Sequence, residues 1–481
     1  MKIVLLLAAI TALPVLGSPA STTIRFDKPA ETWEKHALPI GNGSLGAMLF
    51  GGVDEGVVQF TVDSLWTGNE NPSGSYKNQD AKPGQSNFGS YQNFGELRFT
   101  SATGGAAPEN YRRELDIARA VHTTTWQRAG TTYTREAIAS HPGQVLAWRI
   151  RADQPGKVTG TLALAGAHPA EDKFDLPGDR VLRLRGTFGN GLRYEARATI
   201  VAEGGKLRAA DGKLHVQGCD ALTVLLAADT NFVLDRAAGW MRGDPADKVA
   251  PRLERAAGDG WQALLDKHLA DHRALFDRTR LNLGASAPEI AALTTDRRIA
   301  RYREQARELP RPCLDPELEA LLFHYGRYLL IASSRPGTLP ANLQGIWNNS
   351  NKPAWFADFH TNINIQMNYW LAETTNLPEL AEPLFSMLTA GAPVYREATA
   401  KEYGADTRGF VTRMSLNPYG GGGWNWNIEG TAWLAQHFWE HYAFSHDEKF
   451  LRNTAWPWLR EVSHFWLGRL KELPDGRLVV P

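Results

Sequence analysis

The residues best suited to chemistry lie in the run DFHTNINIQMNYW, residues 358–370. It sets His360, Asn362, Asn364 and Asn368 among aromatic and aliphatic neighbours. Two amides two positions apart diverge on a helix, but share a side on an extended segment entering one. An amide both donates and accepts, so a pair aimed at one point can hold a water molecule. Hydrolysis is the chemistry that needs a water held in place. The competing reading is a buried polar cluster that satisfies loop backbone. The preceding run LPANLQGIWNNS, residues 339–350, favours the first reading. That density of Asn, Gln and Trp suits a sugar cleft, where rings stack on aromatics and hydroxyls pair with amides.

Bulk properties narrow the classes. The chain has 481 residues with 52 Lys plus Arg and 52 Asp plus Glu, enough for about three domains and without the charge excess that nucleic acid or an anionic membrane calls for. Its 16 Trp fit either a large core or carbohydrate platforms. The glycines of GNGSLG, residues 41–46, lack the spacing of a phosphate cradle ahead of a helix and read as tight turns, which excludes a nucleotide cofactor on this motif. No Cys, His or carboxylate spacing resembles a zinc site, so neither metal nor cofactor is expected. Lys2, the apolar run of residues 3–16 and the small residues 17–20 read as a signal peptide, which implies export, secreted or periplasmic, with no membrane span after its removal. Cys219 and Cys313 read as two buried thiols or one bridge.

The elements that must position the amides change character along the chain. Between residues 21 and 255, short alternating runs such as VVQFTV, RVLRLRGTF and LRYEARATIVAE predict antiparallel strands, numerous enough for a β-sandwich. Residues 256–314 read as a helical linker. From residue 315 the pattern is helix or loop, with Asp315 as an N-cap and Pro316 in the first turn, and the long helices suggest an α-helical toroid. Asp63, Trp66 and Asn69 read as a structural turn, with a loop reaching the helical region as the weaker alternative.

The opening FDKPAETWEKHALPIGNGSLGAMLFGGVDEGVVQFTVDSLWTGNENP, then LPANLQGIWN, DFHTNINIQMNYW and AWLAQHFWEHYAF, resemble in order and spacing the glycoside hydrolases of family 95. The resemblance spans nearly the whole mature chain. It implies a β-sandwich, a helical linker and an (α/α)6 barrel, of which residues 315–481 would be the first part. It implies an inverting α-L-fucosidase acting on fucosylated, often α-1,2-linked, glycans, with α-L-galactosidase as the alternative. By motif match, Asn362 and Asn364 hold the water and a distant carboxylate supports them. Positioning of this kind is worth several orders of magnitude in rate. His360 is implied beside the C5 substituent, leaving room for a methyl and crowding a hydroxymethyl. His360, Trp424, Trp439 and Glu440 make up the expected substrate-binding set.

An inverting enzyme also needs a general acid roughly 6.5–9.5 Å from its base. The resemblance places that acid in an S-P-E element after Pro481, so the chain reads as a fragment of a longer enzyme, or as a non-catalytic carbohydrate-binding remnant. Asp358, Glu429 and Glu440 are not assigned the acid: Asp358 reads as a brace for the His360 loop, Glu429 as a helix start, and Glu440 as a packing carboxylate. A phosphorylase would need a basic pocket near Asn362, and none is apparent. RGFVTRMSLNPYGGGGWNWN, residues 408–427, departs from the family pattern and puts the outer substrate contacts in doubt; Trp424 and Trp426 read as sugar platforms or as loop walls.

Overall fold

The computed structural model describes residues 22–77, 85–305 and 315–480. The segment read as a signal peptide, and Cys313, lie outside them; Cys219 is a buried free thiol. A β-sheet region comes first and a helical region follows. Among the described residues no helix is long and apolar enough to cross a membrane.

Alternation builds the strands. In Val181–Thr187, Leu182 and Leu184 are buried while Arg183 and Arg185 face outward. A nine-stranded antiparallel sheet runs from Thr23–Phe26 at one edge, through Val145–Ala152 and Ala221–Thr230, to Lys173–Asp175 at the other. A seven-stranded antiparallel sheet runs from Lys206–Ala210 through Gly95–Ser101 and Glu55–Val62 to Leu38–Gly41. The two share one core, in which Phe60, Phe94 and Leu97 of one meet Leu184, Tyr194 and Leu226 of the other.

Helix α1 (Ala246–Phe276) begins before residue 256 and lies on the outer face of the larger sheet. Its Val249, Leu253 and Leu264 pack on Ile138, Val145 and Leu225. Gly260 breaks it with φ 73°, a conformation glycine adopts without a Cβ penalty. Helix α2 (Thr295–Gln305) follows. Helices α3 (Pro316–Ser333), α4 (Asn364–Thr374), α5 (Glu382–Tyr403), α6 (Ile428–Ser445) and α7 (Trp456–Arg469) form the helical region. They lock through aromatic pairs such as Phe385–Phe438 at 4.7 Å and Phe438–Trp458 at 5.1 Å.

Where the pattern after residue 315 reads as helix or loop only, the structure contains a three-stranded sheet of Phe359–His360, Arg413–Leu416 and Gly422–Trp426. Its strands are too short, and one too rich in glycine, to carry a period-two signal. It lies against the β-sheet region: Tyr419 Oη donates to the Trp66 carbonyl at 2.9 Å, and Phe359 stacks on Trp66 at 5.6 Å. Asp63, Trp66 and Asn69 are part of this junction. Trp66 Nε1 donates to the Asp63 carbonyl, Asp63 Oδ2 accepts from Leu339 N at 2.8 Å, and the Asn69 carbonyl accepts from Asn417 Nδ2 at 2.9 Å.

Candidate active site

The site grows from a strained turn. Trp355, Phe356 and Ala357 all have φ between 46° and 55°, left-handed values that side chains with a Cβ rarely adopt. Strain of this kind persists only where the surroundings over-determine it, and it clusters at functional sites. Here the Phe356 carbonyl accepts from Tyr91 N at 3.0 Å, and the turn delivers Asp358 into the interior with no exposed surface. Trp424, on the facing strand, is a fourth left-handed residue at φ 70°.

Strand pairing then sets His360 opposite Ser415. His360 Nδ1 lies 3.0 Å from Asp358 Oδ1 and 3.2 Å from Ser415 Oγ. A carboxylate oxygen accepts, so the 3.0 Å contact makes Nδ1 the donor nitrogen, and in the neutral ring Nε2 is then the acceptor. The other carboxylate oxygen accepts from Tyr76 Oη at 2.7 Å. Burial first, and then the Asp358 charge, push the Tyr76 hydroxyl far above the usual tyrosine range, so it stays a donor. Trp424 stacks on the Tyr76 ring at 5.0 Å and meets the His360 ring edge-on at 5.8 Å.

Asn362 and Asn364, the pair expected to hold a water, lie just beyond. The extended backbone stops at His360; residues 361–363 turn, and Asn364 is the first residue of α4. Thr361 anchors the start of this turn. Its N–H donates to the Met414 carbonyl at 2.8 Å, its hydroxyl accepts from Asn427 Nδ2 at 3.0 Å, and its carbonyl accepts from Gln366 Nε2 at 2.6 Å. The geometry is thus a pinned turn rather than the extended entry read from the spacing. Asn362 is exposed and Asn364 half-buried, and neither side chain makes a hydrogen bond among the described residues. Asn368, by contrast, is spent on the Ala341 and Asn342 carbonyls at 3.1 Å each.

The remaining candidates divide. Trp424 belongs to the cluster and is partly exposed. Trp426 walls the loop beneath Arg413, whose guanidinium lies 4.3 Å from its ring centroid. Glu429 sits in the first turn of α6, whose cap Asn427 ties it to Thr361. Trp439 and Glu440 are exposed on the same helix, roughly 17 Å farther along at 1.5 Å per residue, so the structure does not bring them to His360. Glu373 and His441 pair at 2.6 Å between α4 and α6. Beside them burial pulls His437 down to about 4, against the opposing charge of Glu373. A cleft of about 510 Å³ opens beside α4, lined by Trp33, Asn342, Gln344, Trp347 and Met367.

Tyr76, Phe356 and Ser415 have no counterpart among the sequence candidates. The glycine run carried a partial signal. A Cβ on Gly423 would come within 2.9 Å of the Tyr76 ring, and one on Gly421 within 2.5 Å of the Asn69 carbonyl, so the run marks close backbone approach.

Comparison with known proteins agrees with this architecture. Residues 260–481 match the Glycosyl hydrolase family 95 catalytic domain, and residues 24–84 and 75–235 match the Glycosyl hydrolase family 65 N-terminal domain. The chain is 31% identical to "Probable alpha-fucosidase A" of Aspergillus niger, with 98% of this chain and 64% of that protein covered. It is 31% identical to "Alpha-L-fucosidase 2" of Arabidopsis thaliana, covering 96% and 60%. The chain therefore spans less than two thirds of the length of these relatives. A solved structure titled "Putative kojibiose phosphorylase from human microbiome" superposes with a TM-score of 0.63 at 12% identity, over 96% of this chain and 62% of that one, a likeness of fold. The chain has a glycoside-hydrolase fold related to families 95 and 65, with fucosidase-like relatives at modest identity.

Proposed function

We propose that this glycoside hydrolase is a family 95 member whose whole protein is exported and releases terminal α-L-fucose from fucosylated glycans by inversion. In this reading residues 315–481 form the first part of an (α/α)6 barrel. The observation that carries it is the state of Asn362 and Asn364: two accessible amides without hydrogen-bond partners among the described residues, on a turn pinned beside His360 and Trp424. Polar side chains held ready beside an aromatic wall suit a water and a sugar better than they suit packing.

The roles follow from the chemistry. Asn362 and Asn364 orient the attacking water, and a supporting carboxylate takes up its proton. His360 Nε2 accepts from the sugar, and its ring fills the space beside C5, which favours the methyl of fucose over the hydroxymethyl of L-galactose. Trp424 gives the ring an apolar wall. Asp358 is committed to Tyr76 and His360 and is not free to act as the acid. Glu440 lies too far along α6. The general acid and the supporting carboxylate come from outside residues 1–481 in this reading.

The test is the whole protein on 2'-fucosyllactose, with the anomer followed by NMR. Free fucose of inverted configuration is expected, with the matching α-L-galactoside cut more slowly. Retained configuration, or faster cleavage of the galactoside, refutes the mechanism or the specificity respectively.

A further inference from the structure

Both side chains proposed to touch the sugar lean on one residue of the β-sheet region. We infer that Tyr76 is a positioning residue for this site: it fixes the Asp358–His360 pair and backs Trp424, and so sets how well the two ring substituents at C5 are told apart. The inference rests on the fucosidase reading above and extends it to a segment 282 positions away in sequence.

Asp358 presents both oxygens to His360 Nδ1, Oδ1 at 3.0 Å and Oδ2 at 3.3 Å, and Oδ2 also accepts from the Tyr76 hydroxyl at 2.7 Å. With Tyr76 in place the carboxylate is held at both ends, and the imidazole has one orientation available. Without that hydroxyl the carboxylate is free to swing away from Nδ1, where Ser415 Oγ at 3.2 Å donates in its place and lets the ring proton move to Nε2. Asp358 is fully buried, so no solvent donor replaces the lost one. The Tyr76 ring is itself clamped, by Phe356 at 4.8 Å, Phe88 at 5.1 Å and Trp424 at 5.0 Å. Its loop is tied to the facing hairpin, where Asn71 Nδ2 donates to the Gly422 carbonyl at 2.9 Å. A residue built only to fill space would need the ring and not the hydroxyl. Here the hydroxyl reaches the one carboxylate that orients the proposed sugar contact.

Tyr76→Phe in the whole protein separates the two roles, because it keeps the stack and removes the donor. The lock is read first without sugar, by long-range nitrogen–proton NMR of histidine-labelled protein. The wild type is expected to show His360 as one Nδ1–H tautomer, and Tyr76→Phe a mixture. An unchanged tautomer overturns the lock. Calorimetric titration with L-fucose and with L-galactose then reads the consequence. Tyr76→Phe is expected to weaken L-fucose about tenfold and to narrow the preference between the two sugars, as the loss of a charged hydrogen bond suggests. Phe88→Leu, which loosens the clamp and leaves the hydroxyl, is the packing control and keeps the preference. Equal weakening of both sugars in Tyr76→Phe overturns the link to discrimination. If the wild type binds neither sugar while its tautomer still responds, the fucosidase reading fails and the lock stands.

Discussion

Asp63 shows what one buried side chain does at the junction of the two regions. Burial raises its carboxyl to about 7, with Asp229 adding to the rise and the hydrogen bond from Leu339 N opposing it. The folded chain therefore keeps a proton that the unfolded chain releases near the ordinary value of about 3.9. The stability Asp63 contributes is complete below that value and is lost as pH climbs through about 7. Asp63→Asn keeps an acceptor for Leu339 and carries no charge. Its thermal midpoint is expected to exceed that of the wild type at pH 8, by up to a few kcal/mol in stability at about 1.4 kcal/mol per unit, with the gain shrinking toward pH 5. A difference that stays flat across that range means the carboxylate is not the strained group. At this scale the sequence drew attention to the amides at positions 362 and 364 and to a brace at 358, because unusual residue types cluster there, and the Asp358–His360 contact is the part the structure displays. It did not expose Tyr76, since a tyrosine in a polar loop carries no mark of the carboxylate it will meet.

Elements were more legible where the code is local. The strands Val181–Thr187 and Arg193–Glu203 follow their alternation, while Glu55–Val62 forms a strand where its apolar positions alternate although Gln59 and Thr61 are buried as well. Asp315 caps α3 as its position ahead of Pro316 suggests, accepting from Leu318 N at 3.1 Å. The cap does more than the motif implies. Arg298, nearly fully buried, donates to Asp315 Oδ2 at 2.9 Å and Oδ1 at 2.6 Å, so the pair staples α2 to α3. Breaking a buried pair from one side leaves a charge without compensation, at roughly 3–5 kcal/mol, and the lost cap adds about 1 kcal/mol. Asp315→Ala is expected to lower the urea midpoint accordingly at an unchanged denaturant slope, with Asp315→Asn intermediate because it preserves the cap. A midpoint within experimental scatter of the wild type would show that Glu317, 3.6 Å from Arg298, takes over the charge. The three-stranded sheet around His360 escaped the pattern because two-residue and glycine-rich strands are specified by their neighbours.

At the scale of the molecule, the long-range meeting of residues 69–76 with the 355–360 turn is what sequence pattern cannot record, since no local signal couples positions so far apart. The distribution of apolar surface, in contrast, is readable once the helices are placed. On α4, Met367 and Trp370 stand about half exposed, with Ile363 one turn before them, giving an outward stripe at helical spacing. Trp370 meets Trp433 of α6 at 6.2 Å, and Trp439 and Phe444 of α6 are exposed farther along. Isolated apolar side chains on a surface need no explanation, but a contiguous stripe of this breadth does. Such a stripe offers a hydrophobic dye a place to bind on folded protein. The 481-residue chain is expected to enhance ANS fluorescence while its near-ultraviolet dichroism stays that of a packed protein, which separates a surface patch from a molten core. Met367→Lys with Trp370→Lys is expected to remove about half of that signal without lowering the thermal midpoint, because neither side chain contributes much to the core. If the dye signal survives the double substitution, the stripe is not where the apolar surface is presented.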